Sequence, residues 1–219
     1  MNASPVISYD YLREQQCLHR DPRYGRASLG YAKLVAALLK IGQCESLTDY
    51  GAGKCKLKAG LDRIRARRVR YLPYDPAFPD YGEPQPADLV ACIDVLEHIE
   101  PARLDAVLDD LVSITTRLGF FTIHTGPAVK TLSDGRNAHM IQEPPSWWAP
   151  RLAERFEIIH LQSVPKGFWV LVAAKDREDI LASLDLDRLV RAASRYGARR
   201  KSLPKRFMGG VRRALGDRR

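Results

Sequence analysis

The sequence predicts an α/β fold of the doubly wound kind, and three observations point to it. Short apolar runs of strand character alternate with stretches of helical apolar spacing through residues 27–176. The run Leu47-Thr48-Asp49-Tyr50-Gly51-Ala52-Gly53 joins an apolar lead-in to closely spaced glycines, which suits a strand turning sharply into a helix. Near the end, Phe156–Leu161 and Phe168–Ala173 flank Pro165-Lys166-Gly167 and read as a hairpin.

The elements follow in order. Residues 1–26 form a polar, aromatic arm (Tyr9, Tyr11, His19, Tyr24) that is either a lid or a surface-packed segment. Residues 27–41 read as a helix, with Leu34, Val35, Leu38 and Leu39 on one face and Gly42 as the stop. After the glycine turn, Leu57, Leu61 and Ile64 share a helix face, and Arg63, Arg65, Arg67 and Arg68 read as a solvated one. Val69–Tyr74 is a second strand ending in Asp75, and Pro79, Pro84 and Pro86 make the next stretch loop. Asp88–Asp94 is a third strand. Pro101 opens a helix at a position where its missing N–H costs nothing, with Leu104, Leu108 and Leu111 as the buried stripe. Gly119–His124 is a strand, Thr125 to Ser146 a long loop of the kind that tends to carry function, and 147–155 a short helix. The domain reading is therefore an arm (1–26), a main α/β domain (27–176) and a basic, partly amphipathic tail (177–219).

Bulk properties exclude several classes. No apolar run approaches the ~18–20 residues of a bilayer span, and no signal peptide is visible. Cys17, Cys44, Cys55 and Cys92 are scattered without C-x-x-C pairs, so neither a zinc site nor a disulfide framework is suggested, and the expected location is the cytoplasm. The net charge of +9 is uneven: Arg188–Arg219 holds twelve Lys/Arg against Asp217 alone, or +11, leaving about −2 for the rest. The body is near neutral and the tail is basic.

Three strand ends carry ligand chemistry. Gly51 and Gly53 let a ligand approach the backbone, Asp75 stands where a βαβ unit holds ribose hydroxyls, and Asp88–Asp94 runs into Val95-Leu96-Glu97-His98-Ile99. The pattern LTDYGAG, then YDP, then DLVACIDVLEHIEP resembles the class I S-adenosylmethionine-dependent methyltransferases over residues 29–175. That resemblance implies a Rossmann-like, mostly parallel seven-stranded sheet whose last strand inserts antiparallel, and S-adenosyl-L-methionine as cofactor. By the same resemblance, Tyr50, Gly51, Ala52 and Gly53 would surround the amino-acid part of the donor. Asp49 would brace the loop and reach the donor, Asp75 would take the ribose, and Asp94 would sit beside the methionine moiety. Two departures stand out: Cys55 replaces the third glycine, and only twelve residues separate Asp75 from Asp88, too few for the usual helix and strand. A nicotinamide-binding reading fails on the full G-x-G-x-x-G spacing, because position 56 is Lys.

Methyl transfer to an oxygen or nitrogen usually needs a base, and a neutral imidazole is competent near pH 7. His139 and His124 lead, with His98 third; His98 alternatively packs under the next helix, and Asn137 with His139 alternatively fixes the loop. Trp147 and Trp148 either stack on a sugar or base or anchor the loop. Asp94, Glu97, His98 and His139 also resemble the metal-binding set of small-RNA 2′-O-methyltransferases, although the aromatic signature around their last histidine is missing; the metal is left open.

In the tail, Leu181, Leu184, Leu189 and Ala192 can continue a helix, and Phe207, Met208, Val211 and Leu215 lie among basic residues. That composition suits an anionic membrane surface better than nucleic acid, with a solvated tail as the plain alternative. The expectation is a cytoplasmic methyltransferase, peripheral at the inner membrane, acting on a hydroxyl of a small molecule or surface-saccharide intermediate. The alternatives are an RNA methyltransferase and a non-catalytic S-adenosylmethionine-binding protein.

Overall fold

The computed structural model describes residues 6–202, with side chains through 196. The elements are α1 (Tyr9–His19), α2 (Ala32–Ile41), β1 (Ser46–Tyr50), α3 (Lys56–Arg63), β2 (Arg70–Tyr74), β3 (Ala87–Ile93), α4 (Leu104–Ile114), β4 (Thr115–His124), α5 (Pro145–Ala153), β5 (Phe156–Val164), β6 (Gly167–Ala174), α6 (Glu178–Ser183) and α7 (Leu186–Ser202). Short 3₁₀ turns precede α2 and α4, so the helix expected over 27–41 has its first five residues wound more tightly.

One sheet of six strands runs in the order β2-β1-β3-β4-β6-β5. β1 pairs in parallel with β2 and β3, and β3 with β4; β6 inserts antiparallel between β4 and β5. The inserted antiparallel strand follows the sequence expectation. The expected seven strands do not: among the described residues the sheet has six. Parallel neighbours need a crossover of a dozen or more residues, usually with a helix. Between Tyr74 and Ala87 the chain has room only for a 3₁₀ turn, Pro79–Tyr81, and the prolines around it. β2 is therefore an edge strand, and Pro73 is tolerated there because an edge can spare one N–H.

Both faces of the sheet are covered, as the continuous burial of β3 requires. Side chains alternate along a strand, so Leu89, Ala91 and Ile93 face the layer of α2, α3 and α7, while Val90 and Cys92 face the layer of α4 and α5. Phe120 and Trp169 join the first layer; Phe121, Phe168 and Val170 join the second. Leu34, Val35, Leu38 and Leu39 are each at most 2% exposed, roughly 1.5–3 kcal/mol of apolar burial apiece. Ile180, Leu184, Leu189 and Ala193 belong to the same cluster, so the segment after residue 177 begins as part of the core. The apolar positions from Phe207 to Leu215 lie outside the described residues. No described helix is long and apolar enough to cross a membrane.

Candidate active site

The turn after β1 is built by left-handed backbone: Gly51 at φ +76°, Gly53 at φ +47° and Cys55 at φ +50°. Cys55 thus adopts the conformation a glycine would take without strain, so the altered loop keeps its shape. The N–H groups of Gly51 and Ala52 donate to the Tyr74 carbonyl at 2.8 and 2.9 Å, and that of Gly53 to Asp75 Oδ2 at 2.9 Å. These donors are engaged within the protein, so the turn offers a ligand close approach rather than a nest of free N–H groups. A Cβ on Gly51 would come within 2.4 Å of Val95 Cγ2, and one on Gly53 within 2.8 Å of His19 Cε1. Both glycines are needed to seat other side chains against the turn.

Asp75 accepts a second N–H, from Ala77 at 2.8 Å, and its Oδ2 lies 4.0 Å from His19 Nε2. Burial pushes its carboxyl up from the usual value, while the Ala77 N–H, His19 and the Gly53 N–H pull it back. His19 is held edge-on by Tyr24 and Phe78, with ring centroids 5.0 Å from each.

At the end of β3, Asp94 takes φ +53°, a strained setting for a non-glycine and one that clusters at functional sites. Its carboxylate accepts from the Thr122 hydroxyl, which in turn accepts the Asp94 N–H at 2.9 Å. Glu97 is fully buried: one oxygen accepts the His124 N–H at 3.0 Å, and the other has no partner among the described residues. Burial, with Asp94 adding, pushes this carboxyl well above the usual range.

Three histidines meet beside it. Ring centroids of His98 and His124 each lie 4.7 Å from that of His139. His98 Nδ1 is 2.8 Å from the Ala138 carbonyl and His139 Nδ1 is 2.7 Å from the Gly126 carbonyl. A carbonyl can only accept, so each Nδ1 carries the proton and each Nε2 is left bare. Burial holds both rings neutral; it lowers His98, helped by His139, to about 4, and it lowers His139 as well. His124 Nδ1 stands between the Gly126 carbonyl at 3.0 Å and its N–H at 3.1 Å, a setting that suits either tautomer. Asn137 fixes the loop, accepting the N–H of Ala128 and of His139, each at 2.9 Å, and donating to the Ala128 carbonyl at 3.0 Å.

These groups line one cavity. Tyr50, Gly51, Ala52, Gly53 and Asp75 line it together with Asp94, His98, His124 and His139. Asp49 is not among the residues that line it: the residue is 2% exposed and its carboxylate accepts the Tyr71 hydroxyl, which braces β1 against β2. The Tyr50 hydroxyl turns away to Asp110 at 2.8 Å. Arg136 pairs with Asp134 at 2.6 Å on the exposed side. Trp148 is fully buried and Trp147 lies under the Arg151 guanidinium at 3.6 Å, so the pair anchors the loop. Sequence reasoning named Tyr11 and His19 only within an arm read as a lid or a surface-packed segment, assigned them no role and did not name Gln15; α1 places all three on the cavity wall. The signal was available as the i, i+4, i+8 spacing of three polar groups.

Glu97, His98 and His139 each offer a ligand atom within 4.8 Å of the others; Asp94, the fourth of the expected set, is outside this group. Two imidazoles with a bare nitrogen and a buried carboxyl with an orphaned oxygen, gathered in one place, are a set that would hold a proton or a cation. Histidines whose far nitrogens are fixed by carbonyls are the usual supports of a metal ion, so the residues fit one.

No family model and no curated protein matches the chain. Among solved structures it is similar to the mitomycin 7-O-methyltransferase MmcR (TM-score 0.52, 16% identity, covering 73% of this chain and 60% of that one). It is also similar to the 1,6-didemethyltoxoflavin-N1-methyltransferase of Burkholderia thailandensis (TM-score 0.51, 17% identity, 80% of this chain and 94% of that one). A third is an O-methyltransferase family protein of Burkholderia thailandensis (TM-score 0.48, 14% identity, 73% of this chain), of which this chain spans 62%. At these identities the likeness to the first two is one of fold alone, and among the described residues the sheet has one strand fewer than expected.

Proposed function

We propose that the protein is an S-adenosylmethionine-dependent methyltransferase acting on a hydroxyl of a small molecule, with a saccharide intermediate as the finer reading. The observation that supports it most is one cavity lined both by a buried acid with Cβ-free backbone and by bare, neutral imidazoles. Asp75 takes the ribose and Asp94 stands beside the methionine moiety. His139 removes the acceptor proton on Nε2 as the oxygen–methyl bond forms and the sulfur–methyl bond breaks, releasing S-adenosylhomocysteine. Of the first two neighbours, one is named as an O-methyltransferase and the other as an N-methyltransferase, so the acceptor atom is read from the base alone.

Two measurements test this. Calorimetry with S-adenosylhomocysteine gives saturable heat, and its absence ends the enzymatic reading. Tritiated methyl offered with extracted small-molecule, saccharide, lipid and RNA pools labels the first or second; labelling of RNA alone overturns the acceptor.

A second reading is RNA methylation at a divalent metal held by Glu97, His98 and His139, and the convergence of those three favours it. In that case the metal would polarise the acceptor hydroxyl, and His139 would be a ligand instead of the base. Protein treated with EDTA and titrated with Co²⁺ then develops visible absorbance that E97Q abolishes. Full methyl transfer in chelator removes the metal.

A further inference from the structure

The helix α1 lies across the cavity with unusual chemistry on one face. Tyr11, Gln15 and His19, spaced i, i+4, i+8, all line the cavity, and among the described residues none of Tyr11 Oη, Gln15 Nε2 and His19 Nδ1 has a well-formed hydrogen bond, although the Gln15 side chain lies against the Tyr11 hydroxyl. Buried polar groups are paired in the large majority of cases, so His19 Nδ1 and the remaining capacity of the Tyr11–Gln15 pair, on one helix face beside one cavity, point to a ligand that completes them. The stripe spans about 12 Å at the rise of an α-helix.

The helix is docked. Ser8, its N-cap, donates from N–H and hydroxyl to Glu100 at 2.8 and 2.7 Å, and Glu14 accepts from the N–H and hydroxyl of Ser133. Asp21, just past the helix, pairs with Lys130 at 3.0 Å. So α1 bridges the turn before α4 and the loop that carries His139.

The contacts fix what each orphan seeks. His19 turns Nε2 toward Asp75 Oδ2, 4.0 Å away; an N–H there leaves Nδ1 bare and in need of a donor. Gln15 Oε1 accepts the Tyr24 hydroxyl at 3.2 Å, so its amide nitrogen is the group turned to the Tyr11 hydroxyl, and its second N–H seeks an acceptor. Tyr11, 2% exposed, packs with Leu132 and Ala138 at the His139 end.

We propose that α1 is the recognition helix of this site: His19 accepts a ribose hydroxyl of the donor beside Asp75, while Gln15 and Tyr11 hydrogen-bond the polar acceptor. The inference rests on the methyltransferase reading and adds a donor contact and an acceptor contact that the glycine turn does not supply. It also implies an acceptor with at least one hydrogen-bond acceptor facing Gln15.

The test uses the full chain and S-adenosylhomocysteine. H19F keeps the ring between Tyr24 and Phe78 and removes the nitrogens; it weakens binding about ten-fold with an unchanged melting temperature. The double variant Y11F/Q15L binds S-adenosylhomocysteine within about two-fold of wild type, yet loses about ten-fold or more of tritiated-methyl incorporation. H19F binding as tightly as wild type overturns the donor contact. Y11F/Q15L that incorporates normally, or that weakens S-adenosylhomocysteine as much as H19F does, overturns the acceptor contact. Wild type that binds no S-adenosylhomocysteine brings down the methyltransferase reading itself, a result distinct from either.

Discussion

Replacing Asp75 by asparagine lowers the affinity for S-adenosylhomocysteine by about 100-fold or more. The carboxylate performs two tasks with the same atoms. It accepts the N–H groups of Gly53 at 2.9 Å and Ala77 at 2.8 Å, which closes the turn after β1 against the end of β2. Its remaining lone pairs face the cavity, where a ribose diol would donate. An amide offers one accepting oxygen, and its NH₂ would meet either a backbone N–H or a sugar hydroxyl donor to donor. Hydrogen bonds to charged groups contribute roughly 1.5–3 kcal/mol each. Loss of one to the ligand together with the ordering of the turn amounts to about 3–4 kcal/mol, or two to three powers of ten. Calorimetry on the variant and on wild type, at one pH and with melting temperatures recorded, reads the effect. Binding within five-fold of wild type would show that the ribose lies elsewhere.

The positions of Gly51, Gly53, Asp75 and Asp94 were legible in the sequence because each sits at a strand end, and strand ends are set by local pattern. Their tasks were less so. Gly51 makes room for Val95, forty-four positions on, and Gly53 for His19, thirty-four positions back. The N–H groups expected to hold a donor are engaged by Tyr74 and Asp75. The missing strand was foreshadowed by the twelve residues between Asp75 and Asp88, although the sheet was still expected to have seven strands. The i, i+4, i+8 spacing on α1 is a local signal, but where the helix docks left no local trace, because the docking runs through Ser8 to Glu100 and Glu14 to Ser133, contacts 92 and 119 positions apart. Asn137 and Trp148 read as ligand groups or anchors equally well from sequence. Only burial and the paired bonds to Ala128 and His139 separate the two.

Asp49 gives the sharpest contrast between a motif and its physics, and a large expected effect on stability. It stands in β1, opposite Pro73 of β2, with its carboxyl 2% exposed and hydrogen-bonded by Tyr71. Burial outweighs that bond, and Asp75 adds repulsion, so the carboxyl is pushed up to about 7. In an unfolded chain the same group titrates near ~3.9. The folded protein therefore holds a proton there that the unfolded chain has released. The stability tied to this group is present in full below about pH 4 and is lost as pH rises toward 7, where the folded state also ionises. Three pH units correspond to about 4 kcal/mol across the window. The variant D49N keeps an oxygen for the Tyr71 hydroxyl and cannot ionise. Its stability relative to wild type, from urea denaturation at a series of pH values, is expected to climb between pH 4 and 7 and to be flat above. The amide hydrogens, finding no ready acceptor, offset part of the gain. S-adenosylhomocysteine affinity of D49N stays within about two-fold of wild type, since the side chain is outside the cavity. A pH-independent difference between the two proteins would place the charge in water. A large loss of affinity would return Asp49 to the donor.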